Sequence, residues 1–179
     1  MSKSALMDFF GTKKRRATQA AVDYVRPLIG TIQHIHGLPA RFWMDDFVLG
    51  FIGFMIAITA KMAVSNLSMI EGNRVFCDAF TALSNQNGEA IASRAMELYK
   101  NPTPDFSRGH ENATTIFLYF QGALPDEDSN PDAQAAKENA FAINRDTFAF
   151  NRSDSREDIC VALIEKLFSR VIIDRFKLR

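Results

Sequence analysis

From Phe47 to Ala60 the chain carries no charged side chain. Large apolar residues recur there at every angle around a helix: Phe47, Val48, Leu49, Phe51, Ile52, Phe54, Met55, Ile56 and Ile58. A helix that is apolar all round has no face for water and must be buried, in a membrane or in a protein core. A single-pass helix needs about 20 apolar residues, whereas an uncharged run of about 10–14 belongs more often inside a protein. Lys61 ends the run at that length, and Ser65, Asn66, Ser68 and Glu71 make the continuation amphipathic. The pattern therefore predicts a buried central helix over about residues 46–70. Gly50 and Gly53 weaken it by about 1 kcal/mol each relative to Ala, and close approach of a neighbouring helix is the use that offsets this. Asp45 and Asp46 fit the N-cap and first turn, where carboxylates accept orphan N–H groups and meet the positive end of the helix dipole.

The other segments read as helices too. Ala21, Tyr24, Val25, Leu28, Ile32 and Ile35 recur at steps of three and four. Pro27 interrupts them and predicts a kink or break near Val25. Gly37 fits a C′ position and Leu38-Pro39 stops the helix. Phe42 and Trp43 follow, placed to pack on the central helix. Gly72-Asn73 offers a break before Val75, Phe76, Ala79, Phe80 and Leu83. The cluster Asn85–Gly88 is a turn. Glu89 to Lys100 reads as a helix, ended by Asn101-Pro102-Thr103-Pro104. Ser107 then suits an N-cap, ahead of Ala113, Ile116, Phe117, Phe120 and Leu124. An acidic loop over residues 124–130 precedes a helix from Asn130-Pro131 to about Phe150. A last helix starts near Asp154 and Glu157 and carries Leu163, Ile164, Leu167, Phe168, Val171, Ile172 and Phe176 as its apolar stripe. No hairpin signal and no sustained repeat interrupts this series. The predicted fold is all-α: a single-domain bundle of about six to eight helices over residues 17–179, preceded by an arm, residues 1–16, with a basic run.

Composition narrows the function classes. The 179 residues carry a formal net charge of +0, so no global field draws in nucleic acid or an acidic membrane. Sixteen Phe against three Tyr and one Trp suit a core whose aromatic rings need no polar partner. Cys77 and Cys160 form neither a CxxC pair nor a disulfide framework. The first residues lack the apolar core of a secretory signal, because the basic residues follow the apolar patch. These features predict a cytoplasmic protein.

Candidate chemistry is sparse. His34 and His36 are two residues apart, about 200° around a helix, so they cannot share a metal unless the chain unwinds near Gly37. A metal site would have to draw on His34 or His36 with His110, Glu111 and Asp45. No HExxH, no Glu-x-x-His of the di-iron bundles, no nucleophile elbow and no phosphate-binding glycine loop is present. A helix-turn-helix would need a polar recognition helix where the most apolar stretch lies. No cofactor is implied. Three binding functions follow. The first is non-enzymatic protein–protein interaction, including a homodimer through surplus apolar faces at Ile32 and Ile35 and at Val171, Ile173 and Phe176. The second is a small apolar ligand or substrate held among Phe51, Met55, Met62, Phe117 and Phe120. The third is transient contact with a membrane surface through Phe9, Phe10, Lys13, Lys14, Arg15 and Arg16.

Overall fold

A computed structural model of the chain describes residues 3–121 and 161–178, with side chains from Gly11 onward. The fold is all-α, and among the described residues there is no strand. Its contacts group into two compact units, Met1–His110 and Glu111–Arg179, each taken by itself. The first contains helix α1 (Lys3–His36), a 3₁₀ turn (Phe42–Met44), α2 (Asp46–Ala63), α3 (Met69–Ser84), α4 (Gly88–Lys100) and the first turns of α5 (Pro104–Gln121).

Helix α2 is the centre of this unit. Phe47, Val48, Leu49, Phe51, Ile52, Met55 and Ile56 are all buried on it, and α1, α3, α4 and the 3₁₀ turn pack around it. By length and composition alone α2 could also cross a membrane, yet 56% of that span is buried against the rest of the chain. Asp45 caps its start as the sequence predicts: Oδ1 accepts from the Phe47 and Val48 amides at 3.1 and 3.3 Å. The glycines set the distance to the neighbours. A Cβ on Gly50 would overlap the Phe106 carbonyl oxygen, and one on Gly109 would overlap the Phe47 carbonyl oxygen. Helices α2 and α5 therefore cross backbone to backbone, each supplying a glycine where the other's carbonyl approaches.

Three boundaries differ from the sequence reading. Helix α2 stops at Ala63 instead of continuing to about residue 70. The cause is a capping box: the Ser68 amide donates to Glu71 Oε2 at 2.8 Å, and the Glu71 amide donates to Ser68 Oγ at 3.3 Å. The break therefore precedes Ser68, and Gly72 lies inside α3. Helix α5 begins at Pro104, so Ser107 is in its first turn and is not its cap. Thr103 does that work, accepting from the Phe106 amide at 3.2 Å, with Pro104 as first helical residue. Helix α1 runs through Pro27 without a break. Pro27 is exposed, so water can serve the Asp23 carbonyl that loses its donor, while buried Val22, Val25, Ile29 and Ile32 hold both halves against the core. Helix α1 also contains the residues read as an arm. Its end follows the prediction, with Gly37 at φ +73°.

The second unit holds the rest of α5 and a C-terminal helical segment. That segment widens into a π turn over Glu165–Ser169 and continues as α6 (Arg170–Phe176). Leu163, Leu167, Phe168 and Ile172 of the predicted stripe are buried. A π turn takes carbonyls out of α-helical register. Buried Asn112 donates through Nδ2 to the Leu167 carbonyl at 2.8 Å, within that turn. The loop over 124–130, the helix from Asn130 to Phe150 and the Asp154–Glu157 start lie outside the described residues.

Two substitutions test the crossing and the core. Ile56→Asp should abolish the cooperative unfolding transition, because it buries an unpaired charge at a fully enclosed position. Gly50→Ala or Gly109→Ala should cost about 1–3 kcal/mol in urea unfolding despite the better helix former, since overpacking wins. At Gly72 a Cβ meets nothing within 4 Å, so Gly72→Ala should have the opposite sign, a gain of about 0.5–1 kcal/mol.

Candidate functional site

The end of α2 and the start of α3 diverge because the capping box turns the chain at residues 64–68. Between them, closed on the far side by α4, lies an apolar groove of about 370 Å³. Ile56 and Ala60 of α2, Val64 and Leu67 of the link, Phe76 of α3, and Met96 and Tyr99 of α4 line it. Its few polar groups are Lys61, Ser65, Ser68 and Asn73. Tyr99 stacks edge-on against Phe106, with centroids 5.0 Å apart, and partial burial raises its phenol pKa. Met69, which also lines the groove, is 82% exposed, and Met62 (58%) and Ile70 (66%), outside the lining, are left in water as well.

Position of the groove is fixed by polar ties at the other end of α2. Asp46, in the first turn, accepts from Arg94 Nη2 at 3.0 Å and from Thr103 Oγ1 at 2.9 Å. These bonds pin α2 to α4 and to the α4–α5 link. Asn87 caps α4, accepting from the Glu89 and Ala90 amides at 3.1 and 3.2 Å. A wider hollow of about 710 Å³ between α3 and the start of α4 is lined by Arg74, Cys77, Asp78, Thr81, Asn87 and Glu89. Asp78 there pairs with Lys14 at 2.9 Å and Asn87 is occupied in capping. Burial first, then Glu89 and Asp78, push the Cys77 thiol pKa up, which is the reverse of nucleophile activation.

The residues picked from sequence fall elsewhere. Phe51 and Met55 are fully enclosed in the core, Met62 is exposed on the last turn of α2, and Phe117 and Phe120 belong to the second unit, half-buried and exposed. None of the five lines the groove. The structure does not gather the metal candidates: among the described residues no three His, Cys, Asp or Glu side chains come together to hold an ion. His34 is exposed and His36 half-buried in the last turn of α1. His110 packs edge-on against Phe54, with centroids 4.8 Å apart, Glu111 is exposed on α5, and Asp45 caps α2. Lys13 and Lys14 lie along α3 and its approach: Lys13 Nζ donates to Asn66 Oδ1 at 3.3 Å and Lys14 pairs with Asp78. Arg15 and Arg16 are exposed, and the Phe9 and Phe10 side chains lie outside the described residues. The groove itself was missed. Its signal was available as Ser68-x-x-Glu71, which ends one helix, starts another and leaves Met69 and Ile70 between the two caps.

The capping box carries a pH dependence. Hydrogen bonds from the Ser68 amide, then from its hydroxyl, hold the Glu71 carboxyl below the ordinary glutamate range. A depressed folded pKa contributes stability above the unfolded value and loses it as pH falls through the folded one. Glu71→Gln keeps a capping partner but cannot titrate. Its urea midpoint should therefore fall less than wild type's between neutral pH and the acid side of the carboxylate range. No family model, curated protein or solved structure matches the chain.

Proposed function

We infer that the protein acts without catalysis, as a cytoplasmic binding protein that receives an apolar group of another protein in the groove between α2, α3 and α4. The groove carries this reading. It is about 370 Å³ of apolar-lined space opening beside Met69, whose side chain is almost wholly in water. Packing α2 does not need that opening, because the fully enclosed residues of α2 lie in its first three turns. A protein interior closes such space at native density, whereas a binding surface leaves it open.

A second copy of the chain is the partner to test first. The sequence offers apolar faces for a dimer at Ile32 and Ile35 and at Val171, Ile173 and Phe176. The structure takes Ile32 into the core, at 2% exposure, and half-buries the other three, so Ile35 is what remains outside. The groove is now the larger apolar feature. Light scattering of the full chain at micromolar concentration should give a mass near twice 20.1 kDa. Gly72→Leu adds bulk into the groove at a position with room for it. That variant should be monomeric with undiminished thermal stability. A monomeric wild type removes self-association. A Gly72→Leu dimer as tight as wild type removes the groove from the interface.

A further inference from the structure

The end of the first unit where α2 gives way to α3 combines two features that the fold does not require. One is apolar: Met62 on the last turn of α2, and Met69 and Ile70 on the first turn of α3, all more than half exposed. The other is basic. The hydrogen bond from Lys13 to Asn66 brings the N-terminal half of α1 against the α2–α3 link, and Lys14 reaches Asp78 further along α3. Arg16 is one turn beyond Lys13 on the same flank of α1. Lys61 is beside Met62, and Arg74 is one turn beyond Ile70 on α3. Lys13, Lys14 and Arg16 of α1, Lys61 beside Met62 and Arg74 on α3 thus share this end of the unit with the exposed apolar side chains. Glu71 faces Lys13 and Arg74, Asp78 pairs with Lys14, and Glu89 shares a hollow with Ile70 and Arg74, three acids against these five cations. A protein that is neutral as a whole has an excess of positive charge where its apolar side chains emerge.

We propose that this end of the molecule docks on an anionic lipid bilayer, with Met62, Met69 and Ile70 entering the interface and the basic residues around them meeting the headgroups. Each element has a physical role. Exposed apolar side chains gain by leaving water for the acyl boundary. Lys and Arg gain from the negative surface potential, within a Debye length of it. Methionine has no fixed shape and fits a fluid surface at little cost. A nucleic-acid backbone would answer the charges but not the protruding Met69 and Ile70, so the bilayer is the partner that accounts for both. Met69 belongs both to the groove lining and to this surface, but Met62 and Ile70 lie outside the groove, so Gly72→Leu, which fills it, leaves those two in place and separates this proposal from the groove reading.

The test is co-sedimentation of the full chain with vesicles of phosphatidylcholine alone and with about a third phosphatidylserine. The chain should sediment with the anionic vesicles, stay in solution with the neutral ones, and be released as salt is raised. Met69→Ser with Ile70→Ser, which keeps every basic residue, should lower partitioning about tenfold. Lys13→Glu with Arg16→Glu, which keeps every apolar one, should lower it at least about tenfold. Ile70→Trp provides a readout that does not depend on loss: its fluorescence should shift to the blue and be quenched by brominated acyl chains only in anionic vesicles. Equal binding to both vesicle types, full binding by the serine double variant, an Ile70→Trp signal that stays in water, or binding to duplex DNA in place of vesicles would each overturn the proposal.

Discussion

Helix α2 has no side to offer water over its first three turns, and the first unit is arranged to cover it. The covering is close because Gly50 and Gly109 let two backbones meet where Phe106 and Phe47 carbonyls would otherwise strike side chains. Gly53 accepts the ring of Phe76, whose nearest atom would be 3.3 Å from a Cβ there. The glycines give up helix propensity, and burial more than offsets it: each large side chain taken fully from water contributes about 1.5–3 kcal/mol. Polar ties then fix the register. Asp45 and Asp46 divide the work, the first holding the amides of its own helix and the second reaching Arg94 and Thr103 on other elements.

The same constraint explains what could be read from the sequence. An apolar run without periodicity names its own burial, and so the central element, its N-cap and the all-α fold were legible from Phe47 to Ala60 and from Asp45. The amphipathic face of α1 was legible as well, through Ala21, Val25 and Ile32. Pro27 misled, because a proline's effect depends on where its missing hydrogen bond points, and that depends on packing. Ser107 and the reach of α2 misled for a common reason. Several residues near each boundary could cap a helix, and choosing Thr103 or Ser68 needs the third residue on, Phe106 or Glu71, to be in position.

The candidate site was less legible than the fold. Phe51, Met55, Met62, Phe117 and Phe120 were grouped by chemistry alone, and nothing in linear order tells a fully enclosed Phe51 from an exposed Met62. A groove is a property of the angle between elements. The angle here follows from five residues of link, Val64 to Ser68, which let α3 leave α2 while Met96 and Tyr99 of α4 close the gap from the side. The histidines show the same limit in reverse: His110 is committed to the ring edges of Phe54 and Tyr99, a use no spacing rule reveals.

Residues 68–71 separate what folding demands from what it leaves free. Ser68 and Glu71 are fixed by the capping box, since each satisfies the other's amide. Met69 and Ile70, between them, are held by no such need. Both side chains point into water, and polar residues there would serve the helix start equally well and the solubility of the chain better. Sequence that is unconstrained by the fold drifts toward what water prefers. Two large apolar side chains in adjacent, exposed positions, near Lys13 of α1, run against that preference.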